Sequence, residues 1–245
     1  MRKLLILPLL LAALELCAQE DPEYKLELGA GAGMVTYLGD FNGNLTKEMQ
    51  PWGTILAKYR MNPRMSVGLS IGFGKLKGTS ANESTWYPEG PYEFDKNVMD
   101  IGARYEYNFW AYGTGREYRG ARRLTPFITL GLGVTSYGGT KSGMTANLPL
   151  GAGLKYKIGD RLNLSAEWRM HFTMSDYLDD VKGEYPADDQ HEMHGSYDLT
   201  DPTGNYHAGQ QRGNSAFNDW FGMARVSLTW KFNLPDSRGC NLSKF

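Results

Sequence analysis

Apolar and polar residues alternate with a period of two along most of the chain. In the segment Arg161–Met174, every even-numbered residue is apolar and every odd-numbered residue is polar or charged. Successive side chains of a β-strand point to opposite faces, so this pattern predicts a strand with one apolar and one polar face. Seven other segments follow the same rule, some of them with more exceptions. The predicted strands are Tyr24–Leu38, Trp52–Met61, Met65–Lys75, Asn97–Trp110, Leu124–Ser136, Ala146–Ile158, Arg161–Met174 and Asp219–Phe232.

The lengths of these segments and of their connections indicate how the strands are arranged. Most segments exceed the roughly 9–11 residues with which a tilted strand crosses a bilayer. The connections after the second and sixth strands are tight turns, whereas those after the first, third and seventh strands are long. Short turns at one rim, long loops at the other and an even number of strands are typical of outer-membrane barrels. The connections after the fourth and fifth strands, Ala111–Arg123 and Tyr137–Thr145, fit this scheme less well.

The sequence therefore predicts an all-β fold, an eight-stranded antiparallel up-and-down transmembrane barrel of the outer membrane with a polar, filled lumen. The alternative is a soluble β-sandwich with its apolar faces inward. The polar faces distinguish the two, because they are rich in glycine, which weakens a water-facing strand but makes room inside a narrow barrel. These glycines are Gly29, Gly31, Gly33, Gly68, Gly72, Gly74, Gly131, Gly133, Gly151 and Gly153. The ions expected to interlock in the lumen are Glu27, Lys58, Arg104, Glu106, Lys155, Glu167, Arg169 and Arg225.

Charges of both signs inside so narrow a lumen are expected to pair, because a buried charge is tolerated only with a partner. The lumen is thus expected to be a salt-bridge plug, since a conducting pore needs a wider barrel. Tyrosine and tryptophan residues near the strand ends suit the aromatic girdles of such a barrel. These residues are Tyr24, Tyr37, Trp52, Tyr59, Trp110, Tyr137, Trp168, Trp220 and Trp230.

Composition and the first residues add an export signal and exclude several classes of protein. Of 245 residues, 26 are Lys or Arg and 27 are Asp or Glu, a net charge of −1 that argues against a nucleic-acid-binding protein. The 2 cysteines exclude a scaffold of disulfides. A basic start, the apolar run Leu4–Leu14 and a small-residue site near Ala18 are typical of a secretory signal peptide. We expect residues 1–18 to be a signal peptide, 19–232 the barrel and 233–245 a periplasmic C-terminal tail.

Two groups of residues suggest chemistry at the rim of the barrel. His171, Ser175 and Asp176 suggest a Ser–His–acid hydrolase acting on lipid, but this activity needs a hydrogen-bond geometry that a sequence cannot supply. The acidic connection Ser175–Asn218 offers many carboxylates, but their spacing matches no ordered calcium loop. We expect no catalytic residue, cofactor or metal. A surface adhesion or binding barrel that uses the acidic loop, and less strongly the rim hydrolase, remain alternatives.

Several motifs resemble those of one family of barrels. They are Tyr37-Leu38-Gly39-Asp40, the segment 147–156, Ser175-Asp176-Tyr177-Leu178-Asp179-Asp180-Val181, Asn218-Asp219-Trp220-Phe221 and the single Cys240. Together they are similar to the PorG-like outer-membrane barrels of Bacteroidetes, a component of the type IX secretion system. The resemblance spans roughly Leu26 to Cys240. It implies a non-enzymatic barrel, held in outer-membrane lipids, that ties a periplasmic ring of a lipoprotein and its partner (PorK and PorN in that system) to the membrane during cargo export.

The tail and the periplasmic turns are the surfaces of such a barrel that would meet a ring. Our hypothesis is that Arg64, Arg122, Arg123 and the tail with Cys240 carry the docking. With an even number of strands, both ends of the mature chain are expected on the periplasmic side. An odd cysteine in an exported protein suggests a partner or a reactive thiol, and an inert thiol against the barrel is the alternative.

Overall fold

A computed structural model describes residues 24–79, 81, 93–113, 122–138, 142–176, 178–179, 218–232 and scattered residues between 184 and 210. The expected signal peptide and the C-terminal tail with Cys240 lie outside the described residues. In the part of the chain that is described, no helix is long and apolar enough to cross a membrane.

Eight long strands form a closed antiparallel barrel, so the fold class predicted from the sequence is confirmed. Going round the barrel, the strand order is β1-β10-β7-β6-β5-β4-β3-β2, and β8 and β9 form a separate two-stranded hairpin. The barrel strands are β1 (Leu26–Leu38), β2 (Gln50–Arg60), β3 (Met65–Thr79), β4 (Glu93–Asn108), β5 (Leu124–Gly138), β6 (Gly143–Lys157), β7 (Leu162–Thr173) and β10 (Trp220–Phe232). The hairpin strands are β8 (Met193–His194) and β9 (Tyr197–Asp198).

The first and last barrel strands close the sheet along one seam. Strands β1 and β10 pair without interruption from Leu26 opposite Phe232 to Leu38 opposite Trp220. The end of the barrel that carries residues 61–64 and 158–161 is called here the short-turn end. The opposite end, where residues 39–49 and 174–219 connect strands, is called the long-loop end.

Alternation decides which side chains face out and which face in. Large apolar side chains on the outer face are strongly exposed, with 61% for Ile55, 62% for Leu69 and 68% for Leu132. A band of this kind around a whole barrel matches a surface that meets lipid. The polar positions between them are buried in the lumen, where glycine leaves space for bulky neighbours. A Cβ on Gly72, for example, would lie 2.5 Å from the ring of Trp52.

The strands differ from the prediction mainly at the long-loop end, where β3 and β4 are longer. Their pairing continues to Thr79 opposite Glu93, whereas the predicted strands stop at Lys75 and start at Asn97. The reason is that apolar side chains, among them Leu76 and Phe94, occupy lumen positions there. Charged residues such as Lys75 and Asp95 face outward, so the apolar–polar alternation is inverted while the strand continues.

An apolar plug fills the lumen at the long-loop end. It consists of Val35, Tyr37, Phe41, Trp52, Leu76, Phe94, Val98, Tyr137, Leu178, Phe221 and Met223. Phe41 and Leu178 belong to loops and are fully buried, so the loops fold into the mouth of the barrel. The expectation that Tyr37, Trp52 and Tyr137 lie in aromatic girdles is therefore wrong, because their side chains point inward and are buried in this plug.

Candidate functional site

The structure places all eight charged residues assigned to the lumen inside the barrel, each with 6% or less of its surface exposed. In the short-turn half, Glu106 accepts hydrogen bonds from two lysines. Lys58 Nζ lies 2.8 Å from Glu106 Oε2, and Lys155 Nζ pairs with Oε1 of the same carboxylate. Glu27 forms an ion pair with Arg60. Opposite charges thus interlock across the lumen.

Tyr112 closes the short-turn end of the lumen. Tyr112 is fully buried, and its hydroxyl donates a hydrogen bond of 2.7 Å to Asn163 Oδ1. The cationic groups of Arg60, Lys155 and Lys231 lie 5.3–5.5 Å from the centre of its ring, which is within the range of cation–π attraction. Tyr112 belongs to the connection between β4 and β5, directly after the end of β4.

Glu167 occupies the middle of the lumen between three arginines. Its Oε1 accepts hydrogen bonds from Arg169 Nε at 3.0 Å and Nη2 at 2.6 Å. Its Oε2 accepts from Arg225 Nε at 3.1 Å and Nη2 at 2.5 Å. Arg104, which reaches in from β4, has its Nη1 at 3.6 Å from Oε2. We call Arg104, Arg169 and Arg225 the arginine cluster.

A hydrogen-bonded cluster holds the long loop to the barrel at the other end. The Tyr37 hydroxyl lies 2.6 Å from Asp179 Oδ2 and 2.6 Å from Asp219 Oδ1. The backbone N–H of Asp40 donates to the Tyr37 hydroxyl at 3.0 Å, and that of Leu178 donates to Asp219 Oδ2 at 2.8 Å. We call Tyr37, Asp179 and Asp219 the mouth cluster.

The structure does not bring the candidate hydrolase residues together. His171 is buried at the long-loop end of the lumen, stacked on Phe221 with ring centres 4.3 Å apart. Neither of its ring nitrogens has a hydrogen-bond partner among the described residues. The Ser175 hydroxyl lies instead 3.4 Å from that of Tyr137. Among the residues that are described, no group of three His, Cys, Asp or Glu side chains is arranged to hold a metal ion.

The three rim arginines lie on two neighbouring turns at the short-turn end. Arg64 belongs to the turn between β2 and β3, and Arg122 and Arg123 to the connection between β4 and β5; all three are exposed. The two connections are tied together, since the N–H of Tyr112 donates to the carbonyl of Pro63 at 3.0 Å. The Arg122 guanidinium also lies 4.5 Å from the centre of the Trp110 ring. We call Arg64, Arg122 and Arg123 the rim patch.

Comparison with protein-family models shows where the chain belongs. The model described as "Outer membrane protein beta-barrel domain" matches residues 4–232, which covers nearly the whole chain. The chain belongs to this family of outer-membrane barrels. The protein is accordingly an integral barrel of the outer membrane. A search of curated protein sequences finds no match.

Solved structures of small outer-membrane barrels resemble this one. Neisserial surface protein A is 14% identical with a TM-score of 0.45, over 84% of this chain and 97% of the other. Ail of Yersinia pestis, in complex with the heparin analogue sucrose octasulfate, is 11% identical with a TM-score of 0.42, over 85% and 99%. OprG of Pseudomonas aeruginosa is 10% identical with a TM-score of 0.43, over 88% and 99%.

Several side chains that are buried in the lumen are not among those predicted from the sequence. Arg60 and Lys231 share the lumen parity of Lys58 and Arg225 on their own strands, so the alternation alone could have assigned them to the lumen. Tyr112 carries no such signal, because it lies in a connection without alternation.

Proposed function

We propose that the barrel is a structural component of a type IX-like secretion machinery, and that it anchors a periplasmic ring to the outer membrane during cargo export. The observation that carries this proposal is the rim patch, which gives one end of the barrel an exposed cationic surface on two turns that are tied together. The filled lumen supports the same function, because a barrel without an open channel acts through its ends.

The motifs behind the resemblance to PorG-like barrels lend further support. Tyr37, Asp179 and Asp219 come from three separate motifs that are far apart in the sequence, and they meet in the mouth cluster. A chance similarity of short motifs gives no reason for them to meet. The convergence therefore favours a shared architecture.

Orientation follows the usual rule for bacterial outer-membrane barrels, which have short turns in the periplasm and long loops outside. The rim patch and both chain ends of the barrel then lie in the periplasm. In this arrangement the tail that follows β10, with Cys240, starts on the same side as the rim patch and adds to the docking surface.

The experiment measures capture of the ring proteins by the purified barrel. Reversing Arg64, Arg122 and Arg123 to Glu should weaken capture about tenfold at low salt and reverse its salt dependence, because charges at the rim of an interface steer association and salt screens the new repulsion. Deleting residues 233–245 should weaken it further. Lys75→Glu is the matched control, since Lys75 is exposed and lies towards the other end of the barrel.

Two outcomes would overturn the proposal. Full capture by the triple variant with the tail deleted would show that the short-turn end is not the docking surface. Normal export of cargo in a strain without the gene would show that the barrel does not serve secretion.

A second candidate, a surface adhesion barrel, rests on the internal order of the connection between β7 and β10. Within it, β8 and β9 pair, and the buried Tyr185 exchanges backbone hydrogen bonds of 2.8 Å with Gly209 and Gln210. A loop with internal structure offers a preformed binding surface. Deletion of this loop would abolish surface binding and spare secretion if the second candidate is right, and would leave binding intact if it is wrong.

A further inference from the structure

The arginine cluster contains more positive charge than its carboxylate can balance. Glu167 and Arg225 are paired across β7 and β10, Arg169 follows on β7, and Arg104 comes from β4 on the other side of the lumen. The side chains of all four are 3% exposed or less. Three guanidiniums therefore surround one carboxylate in a site shielded from water.

The acceptor sites of Glu167 are taken by the other two arginines. Besides the two bonds from Arg169, Oε1 accepts one from Thr129 Oγ1 at 2.9 Å. Oε2 accepts two from Arg225. A carboxylate offers about four lone-pair directions, so five bonds leave no position for Arg104. This explains why Arg104 Nη1 stays 3.6 Å away.

The remaining donors find no acceptor in the described part of the chain. Nε, Nη1 and Nη2 of Arg104 and Nη1 of Arg225 are buried and have no hydrogen-bond partner among the described residues. The neighbouring carboxylates accept their hydrogen bonds from other residues. Glu106 binds Lys58, Lys155 and Ser66, and Asp100 binds Thr135 and Asn147.

Arginine does not become neutral by losing its proton, because its pKa is too high, so the buried guanidinium groups stay charged. Burying a charge without a partner is expensive, and buried charges in proteins are paired as a rule. A water molecule could accept hydrogen bonds from the free donors but would bring no negative charge. A small anion would supply both the missing acceptors and negative charge.

We propose that the arginine cluster binds a small inorganic anion of the size of chloride, held by Arg104 and by Nη1 of Arg225. Guanidinium groups with several free donors are suited to such a ligand. The ligand is expected to be monatomic, because the apolar plug and Tyr112 fill the two ends of the lumen and restrict access for larger anions. This site is independent of the docking surface proposed above.

The first experiment measures unfolding of the purified barrel in lipid vesicles, with chloride replaced by gluconate at constant ionic strength. Gluconate is too large for the filled lumen. A ligand that binds only the folded state raises the ratio of folded to unfolded protein in proportion to its concentration above the dissociation constant. We expect that ratio to rise about tenfold for each tenfold increase in chloride in that range. An equal ratio in chloride and gluconate would overturn the proposal.

Two variants should change the chloride dependence in opposite directions. Arg104→Met removes the free donors and should abolish the dependence. Glu167→Gln removes the competing carboxylate, so half-saturation should move to a lower chloride concentration. If the two substitutions acted only on packing, both would weaken the barrel, and neither would change its response to chloride in the expected way. Lys75→Met, which removes an exposed charge, is the control and should behave like the wild-type protein.

A second measurement needs no variant and decides the matter if Arg104→Met does not fold. Crystals of the wild-type barrel grown in sodium bromide should show anomalous density for bromide between Arg104 and Arg225. Density for bromide on the protein surface alone, with none in the lumen, would overturn the proposal.

Discussion

The mouth cluster makes the stability of the barrel depend on pH through Asp219, which immediately precedes β10. The Tyr37 hydroxyl has one proton but lies 2.6 Å from oxygens of two carboxylates, so a second proton is needed for both contacts to be hydrogen bonds. Burial raises the pKa of Asp219 to about 7, and nearby Asp176 and Asp40 raise it too, against the lowering effect of its hydrogen bonds.

The size of the effect follows from the difference between the two states. In the unfolded chain the pKa of Asp219 returns to 3.8, about three units lower. Each unit corresponds to about 1.4 kcal/mol, so the free energy of unfolding changes by about 4 kcal/mol. The folded state holds a proton that the unfolded state has lost. This stabilisation is therefore complete below pH 3.8 and disappears as the pH rises through about 7.

Asp219→Asn isolates this contribution. The amide Nδ2 can donate to the Tyr37 hydroxyl and Oδ1 can accept from the backbone N–H of Leu178, as the protonated carboxyl does. The assay is urea unfolding in lipid vesicles between pH 5 and 8, followed by tryptophan fluorescence. The wild-type protein should lose stability relative to the variant as the pH rises. A difference between the two that stays constant over this range would refute the reasoning.

Three further predictions use the same unfolding assay or a simple conductance measurement. Tyr37→Phe should cost about 2–4 kcal/mol, because it leaves buried carboxylates without their donor, whereas Tyr137→Phe should cost less than about 0.5 kcal/mol; equal costs would contradict the role of the mouth cluster. Gly72→Ala should cost about 1–3 kcal/mol, because its Cβ would press on a buried tryptophan ring, while at Gly138 a Cβ meets nothing within 4 Å and the change should be neutral. Tyr112→Ala should leave ion conductance across planar bilayers unchanged, because the apolar plug still fills the other end of the lumen, and a rise in conductance would show that the plug does not close it.

The barrel and the contents of its lumen could be read from the sequence because alternation acts locally. Glu167, for example, lies on the same face of β7 as every second residue of that strand. Once the register of the strand is known, the side on which each of these residues lies is known too. The charged residues of the lumen could thus be named, but not the pairs they form. Those depend on which strands face each other across the barrel.

The two ends of the lumen could not be predicted, for the same physical reason. Tyr37 meets Asp219 across 182 residues, and Leu178 comes from a loop with no periodicity. Inside the apolar plug the lumen face of β3 and β4 is apolar while Lys75 and Asp95 face outward, which inverts the alternation on which the prediction rests. Tyr37 and Trp52 are aromatic residues near strand ends, so the sequence predicts them in the girdles, although they lie within the barrel.

The seam between β1 and β10 has a consequence for how the protein forms. Glu27 and Thr229, which meet across the seam, are 202 residues apart in the chain, so closure waits until the last strand is present. Until then β1 and β7 both present unpaired backbone groups, and in hydrocarbon each such group costs several kcal/mol. Insertion and closure must accordingly be one cooperative event. A chain that lacks β10 would not form a smaller barrel; it would have no stable place in the membrane.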